Sequence, residues 1–212
     1  MQIEIEEIRP EQIEAKSFSI IEQELKQKQI VLDAQNEMVI KRAIHTTADF
    51  DYAKTLCFSV EAVRIAKDLL LQGADIVTDT NMTLAGINKR VLKKYGGEVH
   101  CFMADEEVAK IAKERGVTRA SISMERARAI RKPVLYAIGN APTALITLYE
   151  GMEQGIYMPS FVIGVPVGFV NVEAAKELII SSKVPYIINR GRKGGSNVAA
   201  ALVNAILYEL SR

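Results

Sequence analysis

From Gly73 onward the chain alternates short, largely apolar runs with longer stretches of helical periodicity, and this limits the fold more than any other feature. The apolar runs are 74–78, 98–102, 134–138, 160–164 and 185–189. The helical stretches that follow them cover 81–95, 106–115, 142–154, 172–182 and 196–210, punctuated by Gly96-Gly97, Gly116 and Pro142. Strands that are apolar at successive positions are buried on both faces, as in a parallel sheet held between two helical layers. The pattern predicts an α/β fold, a doubly wound five-stranded parallel sheet. Before it, apolar spacings of three and four predict helices from Ser17 to about Lys28, from Asn36 to about Thr46, and from Ser59 to Gln72. Ser17 reads as the N-cap of the first. These helices form an N-terminal extension, and with no linker, repeat or charge block in 1–212 a single domain is expected.

Composition narrows the function. The hydrophobic class is 49% and the charged class 25%, and Lys plus Arg number 27 against 26 for Asp plus Glu. A chain of this length buries roughly 70% of its unfolded surface and needs no disulfide or metal staple. The net charge of +1 asks for neither a nucleic-acid nor an anionic-membrane partner. Cys57 and Cys101 stand in no metal or disulfide pattern and read as buried thiols. The acidic N-terminal stretch is unlike a signal peptide, and runs such as 161–167 fall well short of the ~20 residues of a bilayer span. A soluble, cytoplasmic protein with no membrane partner is expected.

Ligands of open parallel sheets lie outside the carboxyl ends of the strands. The loops there are 79–82, 139–143, 164–168 and 190–196, which makes Asn81, Met82, Asn140, Thr143, Gly194, Gly195 and Ser196 candidate binding residues. No GxGxxG follows a strand, and GRKGGS lacks the spacing of a phosphate-wrapping loop. Gly194 and Gly195 are still expected to offer backbone N–H groups to an anion beside Arg190, Arg192 and Lys193. No GxSxG elbow supports a serine hydrolase. Of the two histidines, His100 falls inside a strand and reads as a packed core imidazole. His45, in KRAIHTTADFDYA, lies three residues after Arg42 and four before Asp49. A helix continuing through this segment would set all three on one face, with Asp49 orienting the imidazole and Arg42 reaching an anion. A plain surface triple remains the alternative.

Seven segments, in order and evenly spread, carry a resemblance. They are Ser17-Phe18 with Ile20-Ile21, KRAIHTTADFDYA (41–53), GADIVTDTNMTLAGI (73–87), GVTRASISM (116–124), IGNAPTAL (138–145), PSFVIGVPVGFVN (159–171) and GRKGGSNVAAALVNAIL (191–207). Over nearly its whole length the chain resembles the precorrin-8X methylmutases of cobalamin biosynthesis. The resemblance implies a flavodoxin-like three-layer sandwich, a homodimer, and no external cofactor or protein-bound metal. It implies an intramolecular methyl transfer from carbon 11 to carbon 12 of a corrin precursor, giving hydrogenobyrinate or cobyrinate. His45 would be the proton donor and acceptor, and Ser17 and Arg42 would bind substrate, with Arg119 of the GVTR segment added. A corrin precursor is a flat apolar ring rimmed by carboxylates. Arg42, Arg119, Arg190 and Arg192 would suit the rim, and Met82, Val165 and Phe169 the ring. Two rivals are a corrinoid-binding protein without turnover and a transferase that uses Gly194 and Gly195 for phosphate.

Overall fold

The computed structural model describes residues 6–211, so the first five residues of the acidic N-terminal stretch, and Arg212, lie outside it. The chain opens with helices α1 (Pro10–Gln27), α2 (Glu37–Thr47) and α3 (Tyr52–Thr55), then strand β1 (Leu56–Phe58) and helix α4 (Ala62–Leu71). β2 (Asp75–Thr78) is followed by α5 (Asn81–Gly86) and α6 (Lys89–Lys94). β3 (Val99–His100) precedes α7 (Glu106–Arg115) and α8 (Arg119–Ala127). Then come β4 (Val134–Ile138), α9 (Pro142–Glu153), β5 (Phe161–Gly164), α10 (Val172–Ser181), β6 (Tyr186–Asn189) and α11 (Ser196–Leu210).

The sheet order is β1-β6-β5-β4-β2-β3. All pairings are parallel except β1 with β6. The five parallel strands therefore follow the flavodoxin arrangement, with the switch point between β2 and β4. The expected five-stranded sheet has a sixth strand. Leu56–Phe58 runs antiparallel to β6, with Cys57 opposite Ile188, and covers what would be an open edge. Three residues are too few to show a period in sequence. Along β4, Leu135 and Ala137 face one core with α2, α4 and α11, while Tyr136 and Ile138 face the other with α8, α9 and α10. Helix α11 is apolar on nearly every side because it lies centrally in its layer.

Several boundaries differ from expectation for physical reasons. Helix α1 begins at Pro10, not Ser17, because Pro10 supplies a favourable first residue and the extra turns are solvent-facing. Ser17 is thus not an N-cap, and its Oγ donates to the Ile13 carbonyl at 3.0 Å. The stretch 81–95 breaks into α5 and α6 where Asn204 bonds the Gly86 carbonyl and the Asn88 N–H, both at 2.8 Å. Helix α8, without an apolar run to reveal it, is capped by Thr118 accepting from Ser121 N–H. Cys57 and Cys101 are free but only half-buried. Among the described residues no helix is long and apolar enough to cross a membrane.

Candidate active site

Two regions carry the candidate residues. The first is the set of loops at the carboxyl ends of the strands, and buried charges organise it. Asp79, at the end of β2, is fully buried. It accepts hydrogen bonds from the backbone N–H groups of Gly139 (2.9 Å), Asn140 (2.7 Å) and Ala141 (2.6 Å). Burial pushes its carboxyl above the ordinary carboxylate range, against the downward pull of those three donors. At the switch point, where this fold places an anionic ligand, the chain has supplied its own carboxylate.

The neighbouring loops are tied just as closely. Thr80 caps α5 and its Oγ1 lies 2.8 Å from Ser196 Oγ. Gly139 is required there, since a Cβ on it would stand 2.7 Å from Ser196 Cα. Gly195 N–H donates to the Val165 carbonyl at 2.9 Å. Gly194, at φ +156°, passes so close that a Cβ would lie 2.0 Å from the same oxygen. Beneath this loop the buried ammonium of Lys176 donates to the carbonyls of Gly191 (2.6 Å) and Lys193 (3.0 Å). Burial lowers its pKa to about 8. Asn189 adds a bond from Nδ2 to the Lys193 carbonyl at 2.9 Å.

These bonds correct one expectation. The Gly195 N–H and the Ser196 hydroxyl are already used inside the protein. The nearby bases are answered too: Arg190 pairs with Glu177, Arg192 with Glu173, and Lys193 with Asp49 and Asp51. At Gly195 and Ser196 the turn is a strut bonded within the protein, and not the free anion cradle that its glycines implied. Other candidates remain open to a ligand. Asn81, Met82 and Asn140 are exposed. Arg119 is exposed in the first turn of α8 and has no ion pair among the described residues. Thr143 is bonded to Thr118 at 2.8 Å, which sets it beside that turn.

The second region is the corner between α1 and α2. Ala48 adopts a left-handed conformation (φ 54°) and ends α2 at Thr47. The shared helical face of Arg42, His45 and Asp49 therefore does not form. The Asp49 carboxylate turns to Lys193 Nζ at 2.5 Å, and that ammonium holds it below the usual range. This ion pair links the end of α2 to the β6–α11 loop. His45 instead stacks on Phe18, with ring centroids 5.4 Å apart and 11° between planes. It is exposed and has no hydrogen bond or ion pair among the described residues. Arg42 lies over the same Phe18 ring at 4.8 Å and over Tyr208 at 5.5 Å. It is only 8% exposed, and Nη2 donates to Glu14 Oε1 at 2.8 Å. Ser17 precedes Phe18 on α1 and keeps its hydroxyl on its own helix.

His100 is half-buried rather than a core imidazole, with Nε2 3.1 Å from Asp75 Oδ2. Burial alone would raise the Asp75 carboxyl, but Lys132, the Glu98 N–H and His100 together hold it below its ordinary value. Among the described residues no cluster of three or more histidine, cysteine, aspartate or glutamate side chains is placed to hold a metal ion. Sequence reasoning gave no role of their own to Phe18, Glu14, Asp79, Lys176 and Tyr208. An acid directly after a buried strand was a signal for Asp79, and a lysine on the apolar face of 172–179 was one for Lys176. Nothing local marks Tyr208, which meets Arg42 from 166 positions away.

Residues 12–209 match the family model of precorrin-8X methylmutase. The chain is 45% identical over 206 residues to the cobalt-precorrin-8 methylmutase of Salmonella typhimurium, covering 95% of this chain and 96% of that one. It is 40% identical over 199 residues to the cobalt-precorrin-8 methylmutase of Priestia megaterium, covering 94% and 88% of the two chains. The crystal structure of precorrin-8x methyl mutase from Thermus thermophilus superposes with a TM-score of 0.83 at 35% identity, over 94% of this chain and 98% of that one. With the sheet order, the glycine-tied loops and the exposed imidazole at the end of α2 already in place, this near-complete coverage decides the matter: the chain belongs to the precorrin-8X methylmutase family.

Proposed function

We propose that the protein catalyses an intramolecular methyl shift from carbon 11 to carbon 12 of precorrin-8X or cobalt-precorrin-8, giving hydrogenobyrinate or cobyrinate. The observation that carries this reading is His45, a solvent-exposed imidazole with no competing bond, displayed from the segment that the family resemblance singles out. Lending a proton to the ring nitrogen next to the migrating methyl draws electron density out of the ring. The methyl then moves across one face of the ring, and the proton returns to the imidazole. No atom is gained or lost, so no co-reactant is needed. General acid catalysis of this kind is worth ~10²–10⁴-fold. Holding a flexible macrocycle in the reactive geometry supplies the rest.

The strand-end loops suit the substrate's other features. Met82, Phe169 and Val170 are 68%, 84% and 78% exposed, an apolar surface matched to a flat ring. Arg119 and Asn140 offer donors to rim carboxylates, with Thr143 and Asn81 at the margins, while Ser17 would serve from the α1–α2 corner. Among the described residues no hydrogen bond, ion pair or ring contact joins Arg42 or His45 to these loops, and the apolar side chains of Met82, Phe169 and Val170 stand open to solvent. A homodimer in which a second copy closes the pocket accounts for both facts, and a stable one buries over ~1,200 Å². The setting is cytoplasmic in this reading.

His45→Ala tests the proposal. The variant should keep its melting temperature, since alanine suits a helix better than histidine. Conversion, followed by the absorbance change of the rearranging ring with cobalt-free and cobalt-loaded substrate in parallel, should fall at least ~100-fold. A near-parental rate would show that ring protonation is not what the enzyme contributes.

A further inference from the structure

The guanidinium of Arg42 is only half satisfied. Its Nη2 reaches Glu14 Oε1 at 2.8 Å, but its Nε is buried without a hydrogen-bond partner. It is the single such side-chain atom among the described residues. Phe18 and Tyr208 lie over the guanidinium at 4.8 and 5.5 Å and leave its plane little freedom. In an arginine, Nε and Nη2 lie along one edge, the edge that takes a carboxylate through two parallel bonds. Glu14 uses one end of that edge and leaves the other end idle. Its side chain is 54% exposed, on the rim of a cavity of about 580 Å³ that Phe18, Met38 and Glu11 also line.

From this geometry we infer that Glu14 is a placeholder carboxylate, which occupies Arg42 in the empty protein and is displaced when a carboxylate of the ligand takes the Nε–Nη2 edge. This deepens the reading of Arg42 as a substrate-binding residue and rests on it. Nη2 belongs to that edge and is held by the Glu14 oxygen, so a second carboxylate that takes both nitrogens requires exit of the first. At the guanidinium edge the exchange replaces one hydrogen bond with two and satisfies an orphaned donor. Between turnovers Glu14 spares the protein a buried cation with no counter-charge, which would be costly. The same pairing lowers affinity for the ligand, so Glu14 tunes release as well as entry.

Glu14→Gln keeps an oxygen for Nη2 but removes the competing charge. The corrin product should bind this variant roughly fivefold or more tightly than the parent. Equal or weaker binding by a variant that melts like the parent would overturn the inference. A second arm needs no corrinoid and no activity, and uses propionate as a plain carboxylate. In isotopically labelled protein, propionate should shift the Arg42 Nε–H resonance saturably, with a lower half-saturation in Glu14→Gln. In the parent, the Glu14 carboxyl carbon should move toward the value of a solvated glutamate over the same titration. An Arg42 signal that ignores propionate, or a Glu14 signal that stays put while Arg42 responds, sinks the exchange. Because this arm is independent of turnover, it separates failure of the placeholder from failure of the methylmutase reading.

Discussion

The strand-end loops and the α1–α2 corner hold their candidate residues by opposite means. In the loops, buried charges grip backbone groups: Asp79 takes three N–H donors, and Lys176 donates to two carbonyls. In the corner, side chains hold side chains, through the Phe18 ring that meets both His45 and Arg42 and through the Glu14–Arg42 pair. A backbone gripped by a buried charge has one low-energy arrangement, because each lost bond strands a polar group away from water. Stacked rings and a half-exposed ion pair can be exchanged for a ligand's groups at small cost. The loops are therefore a preformed platform, and the corner is where groups change partners. The contrast predicts that substitutions in the loops change stability most, while those in the corner change turnover most.

The largest stability effect should come from Asp79→Ala. It leaves three buried N–H donors without an acceptor and should cost about 4 kcal/mol, taking one to two for each donor with partial relaxation. Urea unfolding measures this directly. A loss below about 1 kcal/mol would mean that glycine packing, not the buried carboxylate, fixes the loops.

Lys176 makes the contrast visible in pH. Its folded pKa of about 8 lies below the ordinary 10.5, so between those values the unfolded chain binds more protons than the folded one. Stability therefore rises with pH across that window, by about 3 kcal/mol in total from this group. The cost of burying the charged form is fully present below pH 8. Lys176→Met should flatten the rise in unfolding free energy between pH 8 and 10.5. An unchanged slope would place the effect elsewhere.

The smallest change should be Phe18→Leu, in the corner. Losing the stack under His45 should cost about 1 kcal/mol of positioning, or roughly fivefold in turnover. Product affinity should change less than turnover, and Phe18→Tyr should restore the rate. If Phe18→Leu instead lowers the melting temperature as Asp79→Ala does, the corner is structural and the contrast between the two regions fails.

Legibility in sequence followed the range of each interaction. The parallel strands could be read because burial on both faces writes a largely apolar run into the chain itself, most fully in β4 and β5. β1 could not, since three residues paired antiparallel to β6 leave no local period. The loops at the strand ends were found from topology and proved to contain exposed candidates in Asn81, Met82 and Asn140. Their chemistry was misjudged at Gly195 and Ser196, whose polar groups are consumed by Val165 and Thr80, partners distant in sequence. His45 was legible as a candidate, but the partner assigned to it was wrong. Helical spacing put Asp49 beside it, and a left-handed Ala48 put Asp49 against Lys193 instead.

By itself, then, the sequence determined the layered α/β fold, the family and the residues worth watching, because periodicity and local motifs are properties of neighbours along the chain. Which of those residues are free to act was decided only by the tertiary structure. A hydrogen-bonding group has few partners to give. Whether the Gly195 N–H, the Asp49 carboxylate or the Arg42 edge is spent inside the protein depends on chain segments that folding brings in from far away. For Arg42 those segments are α1, which supplies Glu14 and Phe18, and the end of α11, which supplies Tyr208. They leave one edge of the guanidinium half used, and no spacing in the sequence encodes that vacancy.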